Sequence, residues 1–96
     1  VDAIDPRHVF EIHLAGHATD AASGLKVDDH GSPVSDATAA LYKHFVARAG
    51  ARPTLIEWDT DTPDFAAMCA EAARADGWMR SAVSAARTPE AGHAVA

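Results

Sequence analysis

The 96-residue sequence contains a single cysteine, Cys69. That scarcity excludes an internal disulfide framework and any zinc site built on cysteines, and it fits a reducing compartment. Cations are also few, with eight Lys and Arg against fourteen Asp and Glu and a formal net charge of −6. The eight are scattered, and neutralising a phosphate backbone needs clustered Lys and Arg, so nucleic acid is set aside as a partner. No apolar run approaches the ~20 residues that span a bilayer. The opening Val1-Asp2-Ala3-Ile4-Asp5 has neither the basic start nor the apolar stretch of a signal peptide. A cytoplasmic protein with no membrane partner is expected. Large apolar side chains are scarce too: about half of the 48% hydrophobic content is alanine. Leu, Ile, Val and Phe together fall below the ~20% of a well-packed chain, and a short chain buries a small fraction of its surface. With no initial methionine and an opening that leads straight into Asp5-Pro6-Arg7, the sequence reads as a fragment whose N-terminal portion is missing.

What is present has the pattern of alternating strands and helices. Residues 9–14 place Phe10, Ile12 and Leu14 on one face and Val9, Glu11 and His13 on the other. Residues 25–30 put Asp28 and His30 on a shared face, and residues 54–58 put Leu55 and Glu57 opposite Ile56 and Trp58. The stretch between Ala15 and Gly24 is small and polar and reads as a long loop. Pro33, Ser35 and Asp36 start a helix with Ala37, Leu41 and Phe45 as its stripe and Gly50 as its end. A second helix starts at Thr62-Pro63-Asp64, with Thr62 as N-cap, and presents Phe65, Met68, Cys69, Ala72 and Ala73. Gly77 breaks or ends it, and the chain beyond Ala86 reads as a frayed tail, residues 87–96. A helix between two strands points to a parallel crossover, hence an α/β fold.

Parallel α/β folds bind ligands at the carboxyl ends of their strands. Those ends carry His13, with His17 just beyond, then Asp28 and His30, then Glu57. Side chains two apart on a strand point the same way, so Asp28 and His30 can reach one metal. Imidazole and carboxylate without thiolate suit Fe, Mn or Zn, and two histidines with a carboxylate form the ligand set of non-haem iron oxygenases. Bland readings stand beside this one. A lone strand histidine is more often a hydrogen-bonded surface or core residue than a ligand, His17 can be solvated, and Asp28-Asp29-His30-Gly31 can be a turn. Glu57 on an otherwise apolar strand is harder to dismiss, since a carboxylate there needs a cation or hydrogen-bond partners. His8, His44 and His93 have no such setting, and Cys69 on an apolar stripe reads as a buried thiol.

Three motifs in this order carry a family resemblance: Glu11-Ile12-His13-Leu14-Ala15-Gly16-His17, Asp28-Asp29-His30-Gly31-Ser32-Pro33-Val34 and Pro53-Thr54-Leu55-Ile56-Glu57-Trp58-Asp59. They resemble the C-terminal third of the multinuclear non-haem iron-dependent oxidative enzymes of the MbnB/TglH type, over about His8 to Ala73. The resemblance implies a xylose-isomerase-like (β/α)8 TIM barrel, of which residues 1–86 would hold the last three parallel strands and two main helices. An incomplete barrel would explain the thin core, since a whole one takes ~250 residues.

It further implies iron as a multinuclear Fe2+/Fe3+ centre, dioxygen as co-substrate, and oxidative modification of cysteines in ribosomally made precursor peptides. A separate peptide-engaging partner protein is commonly involved. By motif, His13, Asp28, His30 and Glu57 look like iron ligands, His17 like a ligand or its support, and Glu11 like a support behind the site. Ligands from earlier strands are absent, so the 96-residue chain is expected to be inactive alone. The alternatives are a divalent-metal sugar isomerase or epimerase on the same barrel, and a non-catalytic α/β binding segment.

Overall fold

The computed structural model describes residues 1–87. Asp5 starts the first ordered turn: its carboxylate accepts the Arg7 N–H and pairs with the Arg7 guanidinium, and Pro6–His8 forms one turn of 3₁₀ helix. This segment is fastened to the rest of the chain by arginines. Arg52 donates to the carbonyls of Val9 (2.7 Å), Pro6 (3.1 Å) and Ala49 (3.0 Å), and Arg48 donates to the Val1 carbonyl at 3.1 Å.

Strand β1 is Ile12–Ala15, shorter than the sequence pattern, because Arg52 rather than a neighbouring strand holds the backbone at Val9. Phe10, expected on the inward face, is 80% exposed. Two further corrections follow. The stretch expected to be a loop contains β2, Ala18–Thr19, and the segment expected to be a parallel strand contributes only β3, Lys26–Val27. These two pair antiparallel with each other, so the parallel strands number two among the described residues, not three. The cause is the turn between them. Asp20 accepts from the Ser23 amide and hydroxyl, Gly24 takes a left-handed φ of 73°, and Asp20 N–H closes onto the Leu25 carbonyl at 2.8 Å. Residues 21–28 are all exposed, so no core face draws this segment into the main sheet.

Helix α1, Asp36–Ala49, begins as the sequence indicates: Ser35 caps it by accepting the Thr38 N–H, and Gly50 ends it with φ 93° and an N–H to the Val46 carbonyl. Its buried face is Ala39, Tyr42, Phe45 and Val46, whereas Leu41 is 55% exposed. A strict four-residue repeat advances 400° and drifts around the cylinder, so the mixed three- and four-residue spacing wins. Strand β4, Thr54–Glu57, then pairs parallel with β1, with Ile12 beside Thr54 and Ala15 beside Glu57.

Helix α2, Phe65–Arg87, is capped by Asp64, which accepts the Ala67 N–H, while Thr62 instead donates to the Trp58 carbonyl. Gly77 does not break it: the position of a Cβ there is open space, and the alanine-rich flanks outweigh glycine's penalty of about 1 kcal/mol. Glu71, Ala75 and Ala82 form its buried line, whereas Phe65 is exposed and so is the Cys69 thiol, contrary to the expected stripe. Arg87 is helical, and the rest of the expected tail lies outside the described residues.

Both helices cover the face of the β1–β4 pair that carries Ile12, Leu14 and Ile56, around a core of Leu14, Val34, Tyr42, Val46, Ala75 and Ala82. Tyr42 and Thr54 join their hydroxyls at 2.8 Å beneath it. Parallel strands with two helices on one face fit a portion of a TIM-barrel-like fold. Val46 is the largest fully buried side chain. Truncation to alanine is expected to cost about 2 kcal/mol, read as a lower thermal midpoint with an unchanged helical spectrum.

Candidate metal centre

Parallel register puts paired residues on the same side of a sheet, so His13, Ala15, Leu55 and Glu57 share the face turned away from the helices. His13 stands mid-strand and Glu57 at the carboxyl end of β4, close enough for His13 Nδ1 to lie 2.6 Å from Glu57 Oε1. Glu11, just before β1, reaches the other ring nitrogen, with Oε1 2.9 Å from His13 Nε2.

His30 arrives from a different direction. It follows β3 in a loop and holds a left-handed φ of 49°. Its carbonyl accepts the N–H groups of Asp59 (2.8 Å) and Thr60 (3.1 Å), and the Asp29 carboxylate accepts the Gly31 N–H, so the backbone fixes the ring against the end of β4. His30 Nδ1 then lies 3.1 Å from Glu57 Oε2 and 3.1 Å from Asp59 Oδ2, and Nε2 lies 2.7 Å from Asp28 Oδ1. Glu57 thus joins both imidazoles, one through each oxygen.

The sequence-designated His13, Asp28, His30 and Glu57 are brought together, with Glu11 behind His13. His17 is not joined to them: it is half-buried, and its backbone carbonyl accepts the Ser32 hydroxyl at 3.1 Å. Asp59 was not singled out from sequence, although Glu57-Trp58-Asp59 repeats the two-residue spacing of Asp28-Asp29-His30 and stood in the third motif. His30, Glu57 and Asp59 each offer a ligand atom within 4.8 Å of the others.

Charge decides what such a cluster would hold. Four carboxylates surround two imidazoles, and among the described residues their ion pairs are with histidine alone, never with Lys or Arg. The Glu11 carboxylate raises the His13 pKa above its ordinary 6.5, with Glu57 adding to the effect and partial desolvation opposing it. Asp59 does the same for His30, followed by Asp28 and Glu57. A proton on an imidazole nitrogen and a cation bound there compete for the same lone pair. Two ligands of one cation at ~2.1 Å stand roughly 3–3.5 Å apart, a spacing that His30 Nδ1 meets with Glu57 and Asp59, whereas His13 and Glu57 stand closer, at 2.6 Å. Nitrogen and oxygen donors without sulfur suit Fe, Mn or Zn.

Protons and metal therefore compete for these rings. Affinity for Co2+ is expected to climb as pH rises through the raised imidazole range and to level off above it. Below that range it falls about tenfold per pH unit for each proton displaced. Titration of the chain with Co2+ from acid to mildly alkaline pH reads the slope directly.

No helix among the described residues is long and apolar enough to cross a membrane. No solved structure matches the chain. Curated relatives do. A UPF0276 protein of Caulobacter vibrioides (strain NA1000 / CB15N) is 49% identical over 86 residues, covering 88% of this chain and 31% of that protein. UPF0276 proteins of Chromobacterium violaceum and Vibrio vulnificus are 42% and 38% identical, covering 83% and 86% of this chain and 28% and 29% of their own lengths. The chain therefore spans under a third of the length of these relatives. The profile of the family described as RiPP precursor modification enzyme MbnB/TglH/ChrH matches residues 1–80, through all three motifs and every member of the carboxylate–imidazole cluster, and the chain belongs to that family.

Proposed function

We propose that this chain carries part of the iron centre of a dioxygen-dependent oxidative enzyme that modifies cysteines in ribosomally made precursor peptides. One observation carries the reading: Glu57, at the carboxyl end of β4 where α/β folds place their sites, joins His13 and His30 through separate oxygens. Membership of a precursor-modifying family supplies the substrate class. In this reading β1 and β4 are strands of a (β/α)8 barrel, and further ligands of the multinuclear centre come from protein outside these 96 residues.

Iron held here would supply redox chemistry toward dioxygen and the Lewis acidity that lowers the pKa of a substrate thiol. The chain's own residues do the holding. His13 and His30 would offer ring nitrogens, Glu57 and Asp59 carboxylate oxygens on the Nδ1 side of His30, and Asp28 a carboxylate oxygen on its Nε2 side, while Glu11 fixes the orientation of His13 from behind. The net charge of −6 suits a basic leader segment on the peptide, or a basic surface on a separate protein that presents it. The family is described by precursor modification, which favours this reading over the sugar-isomerase alternative.

The test is anaerobic loading with Fe2+, admission of dioxygen, and mass analysis of a cysteine-containing precursor peptide. The 96-residue chain alone is expected to give no turnover. A protein of the relatives' length that contains it should give a dioxygen-dependent mass change lost in His30→Ala. Modification that proceeds without iron, or product from the isolated chain, would contradict the reading.

A further inference from the structure

Glu71 is the one buried charged side chain among the described residues, 4% exposed on α2, and neither the sequence motifs nor the metal cluster includes it. Its Oε2 accepts the backbone N–H of Val34 at 2.7 Å, and its Oε1 pairs with Arg74, whose guanidinium rests on the Trp78 ring. Val34 is itself buried, at 3% exposure. A carboxylate is costly to bury, so its place on an otherwise alanine-lined helix face calls for a specific task.

The segment that Glu71 grips is the one that delivers His30. From His30 to Val34 the backbone has no ladder partner; besides the local Gly31 N–H bond to Asp29, it is held to the rest of the fold at three points. The His30 carbonyl takes the Asp59 and Thr60 N–H groups, Ser32 donates to the His17 carbonyl, and Val34 donates to Glu71. The first two tie the loop to the ends of β4 and β1. The third is the loop's hydrogen bond to α2, at the residue whose side chain enters the core beside Tyr42, Val46, Ala75 and Ala82.

We propose that Glu71 is a positioning residue for the metal centre: by accepting the Val34 N–H it fixes the loop that sets the His30 ring against Glu57 and Asp59. This rests on the reading of that cluster as a metal site. Groups that hold a ligand in place commonly change metal affinity ten- to hundredfold when removed, without touching the metal.

The test uses Co2+ alone as probe, titrated into the full chain well below its thermal midpoint, with affinity and the visible absorption spectrum as readouts. Glu71→Gln keeps an acceptor for Val34 and is expected to bind within about threefold of the native chain, with the same spectrum. Glu71→Met removes the acceptor, and Glu71→Asp withdraws it by one methylene while keeping the charge. Both are expected to weaken Co2+ by about tenfold or more and to alter the spectrum. Should the methionine variant fail to fold, the aspartate variant decides. Native affinity and spectrum in Glu71→Asp, alongside a lowered thermal midpoint, would make Glu71 merely structural and overturn the proposal. His30→Ala separates the two levels. If it binds Co2+ as well as the native chain, the metal reading itself fails. If it loses Co2+ while Glu71→Asp does not, only the positioning role fails.

Discussion

Glu57→Gln is expected to weaken divalent-metal binding by at least about a hundredfold while leaving the fold intact. The loss should exceed the ten- to hundredfold typical of a residue that only supports a ligand, because among the described residues Glu57 alone is in contact with both imidazoles. Glutamine preserves the shape but turns one of the two oxygens into an NH2 donor. Whichever way the amide turns, it presents a donor either to His13 or to His30, and it removes the negative charge that a cation would neutralise. Stability should barely change, since the face of β4 packed under the helices carries Thr54 and Ile56 rather than Glu57. Co2+ titration paired with a thermal melt separates the two effects. Tight binding by Glu57→Gln would show that Glu57 is a hydrogen-bonding strand residue and nothing more.

Gly16→Ala is expected to be the most destabilising single-methyl change in the chain. Gly16 follows β1 directly, and a Cβ there would fall inside the van der Waals shells of the Ser32 carbonyl carbon, carbonyl oxygen and hydroxyl. Two of those atoms are backbone and cannot rotate away. The cost is about 3 kcal/mol, at the upper end of overpacking, and at roughly 4–8 °C per kcal/mol the thermal midpoint should fall by roughly 12–24 °C. Ser32→Ala in the same chain removes the hydroxyl but not the carbonyl, so the double variant should stay destabilised. Since Ser32 also donates to the His17 carbonyl, prying the two segments apart displaces the loop that carries His30, and metal affinity should fall with stability. A midpoint within a few degrees of native would show that β1 and this loop can separate freely.

The contrast between these two residues marks what was legible in the sequence. Glu57 could be found because a carboxylate interrupts an apolar strand at its carboxyl end, a violation of burial chemistry that needs no structure to notice. His13, Asp28 and His30 were singled out through the family motifs, since two-residue spacing alone left a turn and hydrogen-bonded histidines open. The ends of α1 were equally plain, since Ser35 and Gly50 are local signals that act within one turn. Residues whose roles depend on distant partners were not legible. Asp59 carries an ordinary turn residue's chemistry until the His30 backbone folds onto it. Glu71 looks like one more polar residue on an alanine-rich helix until Val34 is brought beneath it.

Periodicity failed for related reasons. The alternation in residues 25–30 was real, but a strand needs a neighbour, and the Asp20–Gly24 turn gave this segment β2 instead of the main sheet. Phe65 and Cys69 sit on a helical stripe that faces outward because Glu71, Ala75 and Ala82 take the inner position. Phe10 shares the alternation of Ile12 and Leu14 but lies before β1 begins and is exposed. Hydrophobic spacing states which residues share a face, whereas contacts far apart in the chain decide which face is buried.

The most direct measurement is an anaerobic Fe2+ titration of the native chain and of Glu57→Gln, followed by elemental analysis after removal of free metal. The expected result is iron retained by the native chain and lost from the variant, with both folded by circular dichroism. Equal iron retained by the two folded proteins would contradict the assignment of His13, His30 and Glu57 to a metal centre.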